Sequence, residues 1–164
     1  AADVGVRSIT IQGKWPDVVL DTPTADVVTC HHVAYNVADI RPFIGALTGR
    51  ARLAVVLVLP TVHPLAAWSD AWLHFWNIER PSGPTSDDLV AVLVEMGIEP
   101  ERWEMPRPPL ARAAADPTSR VPSTLRRLCL GTERADEVAD FLEHHEPDWA
   151  PVHTVLRWPG EAVA

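Results

Sequence analysis

Apolar and polar positions alternate along the chain with two different periods, and each change of period marks a predicted element. Alternating or continuous apolar runs predict strands over residues 6–12, 26–30, 53–59, 102–105 and 152–158. Apolar residues three or four positions apart predict helices over residues 38–47, 68–78 and 85–96, and residues 125–145 are expected to be mostly helical. Strands that alternate with helices predict an α/β fold with a mostly parallel sheet in three layers.

The stretch after the second predicted strand carries the most informative polar residues. That strand ends at Cys30, and His31 and His32 follow it before a helix begins near Asp39. In open α/β sheets, ligands bind just beyond the carboxyl ends of the parallel strands. Cys30, His31 and His32 are therefore expected where such a protein does its chemistry.

The composition limits which binding partners and which cellular compartment we expect for this protein. The chain has 164 residues, enough for one domain with a sizeable core. Its 14 basic and 22 acidic side chains give a net charge of −8, which disfavours nucleic acid or an anionic membrane as a partner. Cys30 and Cys129 share no metal-ligand spacing, and we expect reduced thiols in a cytoplasmic protein. The longest apolar run, residues 53–60, is too short to span a bilayer.

The order and spacing of several short motifs resemble the later portion of a class I S-adenosylmethionine-dependent methyltransferase, of the small-molecule type common in actinobacteria. The resemblance covers residues 11–103 and, more weakly, the last helix and the last strand. The motifs that carry it are Gln12-Gly13-Lys14-Trp15-Pro16-Asp17, Asp26-Val27-Val28-Thr29-Cys30-His31-His32-Val33, His63-Pro64-Leu65, Arg80-Pro81-Ser82-Gly83-Pro84-Thr85, Met96-Gly97-Ile98 and Arg126-Arg127-Leu128-Cys129-Leu130.

The resemblance implies a partial, Rossmann-like methyltransferase domain over residues 1–164. The family's sheet order is third, second, first, fourth, fifth, seventh and sixth strand. The chain is expected to begin near the third strand of the family. It would therefore lack the first two strands and the glycine-rich loop.

The same resemblance implies methyl transfer from S-adenosylmethionine to a small-molecule acceptor with an oxygen, carbon or sulfur nucleophile. Gly13, Lys14 and Trp15 are expected to border the adenine, although Lys14 stands where the family often has an acid. Cys30 and His31 are expected to border the sulfonium end of the cofactor. Without the glycine-rich loop, this chain alone is expected to bind the cofactor weakly.

Three histidines are candidate general bases, because an imidazole can exchange a proton near neutral pH. His31 and His32 follow one strand, and His63 follows the next. Each has a structural alternative. One of the first pair could instead hydrogen-bond a loop carbonyl, and His63, which precedes Pro64, could be a turn residue.

Trp68, Trp72 and Trp76 recur at a spacing of four, with Phe75 beside them, and form one aromatic stripe on a predicted helix. Trp68 and Trp72 could give a substrate an apolar wall. Core packing is the favoured alternative, because aromatic residues at helical spacing are usually buried.

Two polar clusters receive structural interpretations. Asp87 and Asp88 follow Thr85-Ser86 as a capping-box-like helix start. His144 and His145 are adjacent on a helix and point about 100° apart, so no metal site is expected from them.

The implied loss of two strands would leave a sheet edge uncovered, and such edges recruit other strands. We expect a homodimer through that edge, pairing with the missing N-terminal segment, or a shift of strand 6–12 onto strand 26–30. A second hypothesis for function is a catalytically silent fragment that acts as a binding or assembly module.

Overall fold

The computed structural model describes residue 5 and residues 8–106, 117–145 and 152–162. The strands are β1 (Ala25–His31), β2 (Ala51–Pro60), β3 (Glu101–Pro106) and β4 (Val152–Pro159). The helices are α1 (Ile40–Arg50), α2 (Ser69–Trp76), α3 (Ser86–Glu95), α4 (Pro117–Leu128) and α5 (Ala135–His144). The strands predicted over 26–30, 53–59, 102–105 and 152–158 are thus confirmed.

The four strands form one sheet in the order β1-β2-β4-β3. β1 and β2 are parallel, with Cys30 opposite Leu57 and His31 opposite Val58. β4 comes last in the chain but lies between β2 and β3, so the chain returns to the interior of the sheet to complete it. The α/β prediction is confirmed, and the four strands follow the family order of fourth, fifth, seventh and sixth.

The strand predicted over residues 6–12 is wrong where the structure describes it. Residues 8–12 have no strand pairing and lie outside the sheet, whereas residues 6–7 fall outside the described residues. Alternation favours an extended chain, but a strand forms only where a neighbour completes its backbone hydrogen bonds. Ile9 is largely exposed, so the alternation in this segment does not correspond to a buried face.

Two helix boundaries also differ from the prediction. α1 begins at Ile40 and continues beyond the predicted end at residue 47 to Arg50, where it leads directly into β2. The helical stretch 125–145 is divided in two, because α4 ends at Leu128 and α5 begins at Ala135. Cys129, predicted to lie within a helix, follows α4 in the left-handed conformation with φ of 55°.

The described chain divides into two compact units. The first contains the described residues of Ala1–Leu59, Val90–Trp103 and Val155–Ala164, and the second contains those of Pro60–Leu89 and Glu104–Thr154. In the first unit, buried aliphatic side chains come from α1, β2 and β4. The Nε1–H of buried Trp158 donates to Thr48 Oγ1 at 2.9 Å, and the Thr48 hydroxyl donates to the Ile44 carbonyl at 3.0 Å. This chain of hydrogen bonds joins β4 to α1.

In the first unit, the segment after β4 forms backbone hydrogen bonds with β2. The Gly160 N–H donates to Leu53 O at 3.2 Å, and the Ala162 N–H donates to Ala51 O at 2.9 Å. A Cβ atom on Gly160 would overlap the Ala51 carbonyl, so only glycine allows this approach.

The second unit is built around an aromatic core formed by α2, α4, α5 and the 3₁₀ turn Pro64–Trp68. Its buried members are Trp68, Ala71, Phe75, Val121, Leu125, Leu128, Val138, Phe141 and Leu142. The indole N–H of half-exposed Trp76 donates to the Leu128 carbonyl at 2.7 Å, which ties the end of α2 to the end of α4.

The predicted capping box at the start of α3 is present in the second unit. The Asp88 N–H donates to Thr85 Oγ1 at 3.3 Å, and the Thr85 N–H donates to Asp88 Oδ2 at 2.7 Å. The carboxylate of Asp88 thus accepts the Thr85 N–H, and it also accepts the Thr85 hydroxyl at 2.9 Å. These two hydrogen bonds, the backbone one first, lower the pKa of the Asp88 carboxyl. The two acids thus have a structural role at the helix start.

Across the described ranges, none of the helices combines the length and the apolar character needed to cross a bilayer.

Candidate functional site

Cys30 is a buried thiol near the carboxyl end of β1. It pairs with Leu57 of the neighbouring strand, and burial raises its pKa to about 11. A thiol with this pKa stays protonated at neutral pH, and only the thiolate is a strong nucleophile. Cys30 can therefore supply a small, soft surface to a ligand, but it cannot act as a base or nucleophile near pH 7.

His31 and His32 mark the point where β1 ends and the chain turns. His31 is the last strand residue and is exposed. His32 adopts the left-handed conformation with φ of 57°, and its N–H still donates to Val58 O at 2.8 Å. A non-glycine residue in this conformation is uncommon and often marks a functional turn. Two imidazoles thus lie at the carboxyl end of a parallel strand, although the strand continues one residue beyond its predicted end at Cys30 and includes His31.

Gly13, Lys14 and Trp15 lie in a turn rather than at the end of a sheet strand. Gly13 and Lys14 are exposed, whereas the Trp15 indole is half-buried and its N–H donates to Phe43 O of α1 at 3.3 Å. α1 therefore fixes the Trp15 ring beside the turn. The expected place of these residues along the adenine remains a prediction.

His63 belongs to the second unit, whereas His31 and His32 belong to the first. The Leu65 N–H donates to His63 Nδ1 at 3.0 Å, so the imidazole caps the 3₁₀ turn that begins at Pro64. This hydrogen bond is the turn role that the sequence offered as an alternative. Partial burial, and then the nearby charge of Arg80, lower the pKa of His63. Because Nδ1 accepts this hydrogen bond, the neutral ring carries its proton on Nε2.

Trp68 and Trp72 lie in the second unit, where the aromatic stripe contributes to the core. Trp68 and Phe75 are buried, and Trp72 is half-buried against the same cluster. Core packing, the favoured alternative, therefore describes Trp68. Trp72 keeps a partly exposed ring, which is the part of the stripe that can still contact a ligand.

Arginine side chains cover this aromatic stripe, and the sequence analysis did not predict them. The guanidinium carbons of Arg80, Arg127 and Arg134 lie 5.0, 5.6 and 5.0 Å from the ring centroids of Trp72, Trp68 and Phe75 respectively. Such distances allow cation–π attraction. The sequence contains little that would predict these contacts, because the three arginines come from a loop, a helix and a 3₁₀ turn with no common spacing.

His144 and His145 end α5 by bonding to its last carbonyls. His144 Nδ1 lies 2.9 Å from Asp140 O, and His145 Nδ1 lies 3.1 Å from Phe141 O. The His145 ring also stacks on Phe141, with the two centroids 4.2 Å apart. Asp140, Glu143 and His144 offer ligand atoms within 4.8 Å of one another, but all three side chains are exposed on one helix end. This geometry is explained by helix termination.

The comparisons with known proteins include two solved structures. The chain is similar to a cyclopropane-fatty-acyl-phospholipid synthase-like protein from Lactobacillus casei, with 16% identity, a TM-score of 0.49, and coverage of 87% of this chain and 60% of that chain. It is also similar to a SAM-dependent methyltransferase from Archaeoglobus fulgidus, with 10% identity, a TM-score of 0.45, and coverage of 91% and 66%. The chain thus spans less than two thirds of either structure. No protein-family model and no curated protein matches it.

Proposed function

We propose that this chain is the later portion of a class I S-adenosylmethionine-dependent methyltransferase that acts on a small-molecule acceptor. The observation that carries the proposal is the strand order β1-β2-β4-β3, in which the last strand lies inside the sheet. The family resemblance, which rests on sequence motifs, implies this order. Composition and periodicity do not predict it. The position of His31 and His32 after a parallel strand gives further support.

S-adenosylmethionine, when bound, supplies a methyl group already activated by its sulfonium charge. In our proposal, Gly13, Lys14 and Trp15 border its adenine, while Cys30 and His31 border its sulfonium end. The raised pKa of Cys30 suits that place, because a protonated thiol does not compete with the acceptor for the methyl group. The half-buried Trp15 ring offers a face fixed by its hydrogen bond to α1.

His31 and His32 are the favoured bases for an acceptor that must lose a proton. His31 is exposed at the strand end, where a ligand can reach its imidazole. His63 is less suited, because its Nδ1 already accepts the Leu65 N–H and its other ring nitrogen carries the proton. The proposal therefore assigns proton removal to the β1 end, whereas His63 caps the turn that begins at Pro64.

Calorimetry with S-adenosylhomocysteine tests the proposal on this chain. We expect weak but measurable binding, between micromolar and millimolar, that falls about tenfold in Trp15→Ala. Trp103→Ala is the matched control, since Trp103 is a half-exposed indole on β3 and should leave the affinity unchanged. The absence of heat at millimolar ligand would contradict methyl-donor binding and support the catalytically silent alternative.

The second candidate function is assembly, with a second copy of this chain bound along β1. β1 is a terminal strand of the described sheet, and its Val27 is 48% exposed. Light scattering should then give the mass of a dimer, and Val27→Lys should give a monomer, because charge on an edge strand opposes pairing. Leu20→Lys, at an exposed leucine outside the sheet, is the control. A monomeric wild-type chain at high concentration would exclude this assembly.

A further inference from the structure

One face of α4 carries two arginines and a threonine. Arg120, Thr124 and Arg127 are spaced four and three residues apart, so they lie on the same side of the helix. With a rise of about 1.5 Å per residue, the three positions extend over about 10 Å. Arg126 lies on another side of the helix. The face therefore places two cations and a hydroxyl in one line.

Two polar atoms on this face are buried without a partner. Thr124 is fully buried, and neither its Oγ1 nor the buried Nε of Arg120 has a hydrogen-bond partner in the ranges that the structure describes. The large majority of buried polar atoms in proteins have at least one partner. A ligand atom that accepts hydrogen bonds would meet the need of both groups.

Arg127 differs from Arg134, another arginine that covers the aromatic stripe. Its guanidinium lies over the Trp68 ring, and the described residues place no carboxylate within ion-pair distance of it. Arg134, in contrast, already donates two hydrogen bonds to Glu137, at 2.7 and 2.8 Å. The charge of Arg127 is therefore available to an anion, whereas that of Arg134 is neutralised.

We propose that this α4 face binds the carboxylate of a small organic acid, with Arg120, Thr124 and Arg127 as donors. A carboxylate has two oxygens, and a guanidinium fork and a hydroxyl match them in number and geometry. The same unit carries half-buried Trp72, whose partly exposed ring suits an apolar body attached to the carboxylate. The anion site does not rest on the proposed function.

Calorimetric titration of the whole chain with sodium benzoate tests the proposal. Wild-type protein should bind benzoate, and Arg127→Gln should weaken binding about tenfold, because a charge-assisted hydrogen bond is lost. Thr124→Val should weaken it about fivefold while the fold is retained, because valine keeps the shape of threonine and removes only the hydroxyl. Arg126→Gln removes the same charge from the other side of α4 and should leave the affinity unchanged.

Three results would overturn the proposal. These are no benzoate binding by wild-type protein, equal losses in Arg126→Gln and Arg127→Gln, or tighter binding of inorganic phosphate than of benzoate. The outcome is separable from that of the proposed function. Benzoate binding without S-adenosylhomocysteine binding would leave the anion site and remove methyl transfer, and the reverse pattern would remove the anion site alone.

Discussion

The two compact units differ in how the buried polar groups of their cores are hydrogen-bonded. In the first unit, the polar groups of the core satisfy one another, as Trp158, Thr48 and Ile44 do in their chain of hydrogen bonds. In the second unit, the buried Thr154 hydroxyl also donates to Ser86 Oγ at 3.0 Å. The aromatic core of that unit, however, is covered by arginines, and Thr124 is buried without a described partner. A closed network rigidifies a fold, whereas buried polar groups with no internal partner are costly unless a ligand meets them. The first unit therefore has a closed hydrogen-bond network between β4 and α1, whereas the second carries the unpartnered groups on which the proposed anion site rests.

The largest expected effect is the loss of Trp158 from the first unit. Trp158→Ala removes a side chain that is 2% exposed and leaves a cavity, which should lower the free energy of unfolding by about 3–5 kcal/mol. Chemical denaturation followed by circular dichroism measures this change. Trp103→Ala, at an indole that is 45% exposed, should change the free energy by less than about 1 kcal/mol. Similar losses in the two variants would show that β4 is not central to the unit.

The second prediction compares a buried threonine from each unit. Thr48→Val leaves the Trp158 indole N–H without its acceptor and should cost about 1–3 kcal/mol in the free energy of unfolding. Thr124→Val replaces a buried hydroxyl that has no described partner, so stability should stay within about 0.5 kcal/mol or rise. Denaturation of both variants under the same conditions tests the difference. A large loss in Thr124→Val would mean that its hydroxyl has a structural partner.

Much of the fold could be predicted from the sequence, because each correct element has a local signal. The apolar run of β2 predicts a covered parallel strand, and Thr85 with Asp88 marks the start of α3. Residues 6–12 show the limit. Their alternation is as regular as that of a strand, but pairing depends on a neighbour that no local pattern reveals.

The candidate functional residues also differ in whether the sequence could predict them. His31 and His32 were predicted from topology, because the end of a parallel strand is defined by the order of elements. The sequence did not predict a role for Arg120, Thr124 and Arg127. Their proposed role depends on burial and on an aromatic ring supplied by another part of the chain. Sequence spacing places them on one helix face, but only packing shows that two of their polar atoms have no hydrogen-bond partner among the described residues.

The third prediction concerns one free cysteine from each unit. Cys30 is buried with its pKa raised to about 11, whereas Cys129 is exposed after α4. Iodoacetamide at mildly alkaline pH should therefore modify Cys129 rapidly, and Cys30 only when the first unit opens. Because the folded pKa of Cys30 is raised, its contribution to stability is present below the unfolded value of 9.0 and is lost as the pH rises toward 11. Mass spectrometry of the two peptides over time measures the rates, and equal rates would contradict the burial of Cys30.

The smallest effects should come from two histidines of the second unit, whose contributions have opposite signs. The hydrogen bond to Asp140 O raises the pKa of His144, so its contribution is present below the unfolded value of 6.5 and is lost as the pH rises through the folded pKa. Burial and then Arg80 lower the pKa of His63, so its contribution is present above 6.5 and is lost as the pH falls.

His144→Gln should therefore destabilise the protein more in mild acid than in mild alkali. His63→Asn, which keeps an acceptor for the Leu65 N–H, should instead compare more favourably with wild-type protein in mild acid. Denaturation of both variants across the range from about pH 5 to about pH 8 measures the two trends. Trends of the same sign would show that overall charge, and not the local partners of each ring, governs how the stability of the second unit responds to pH.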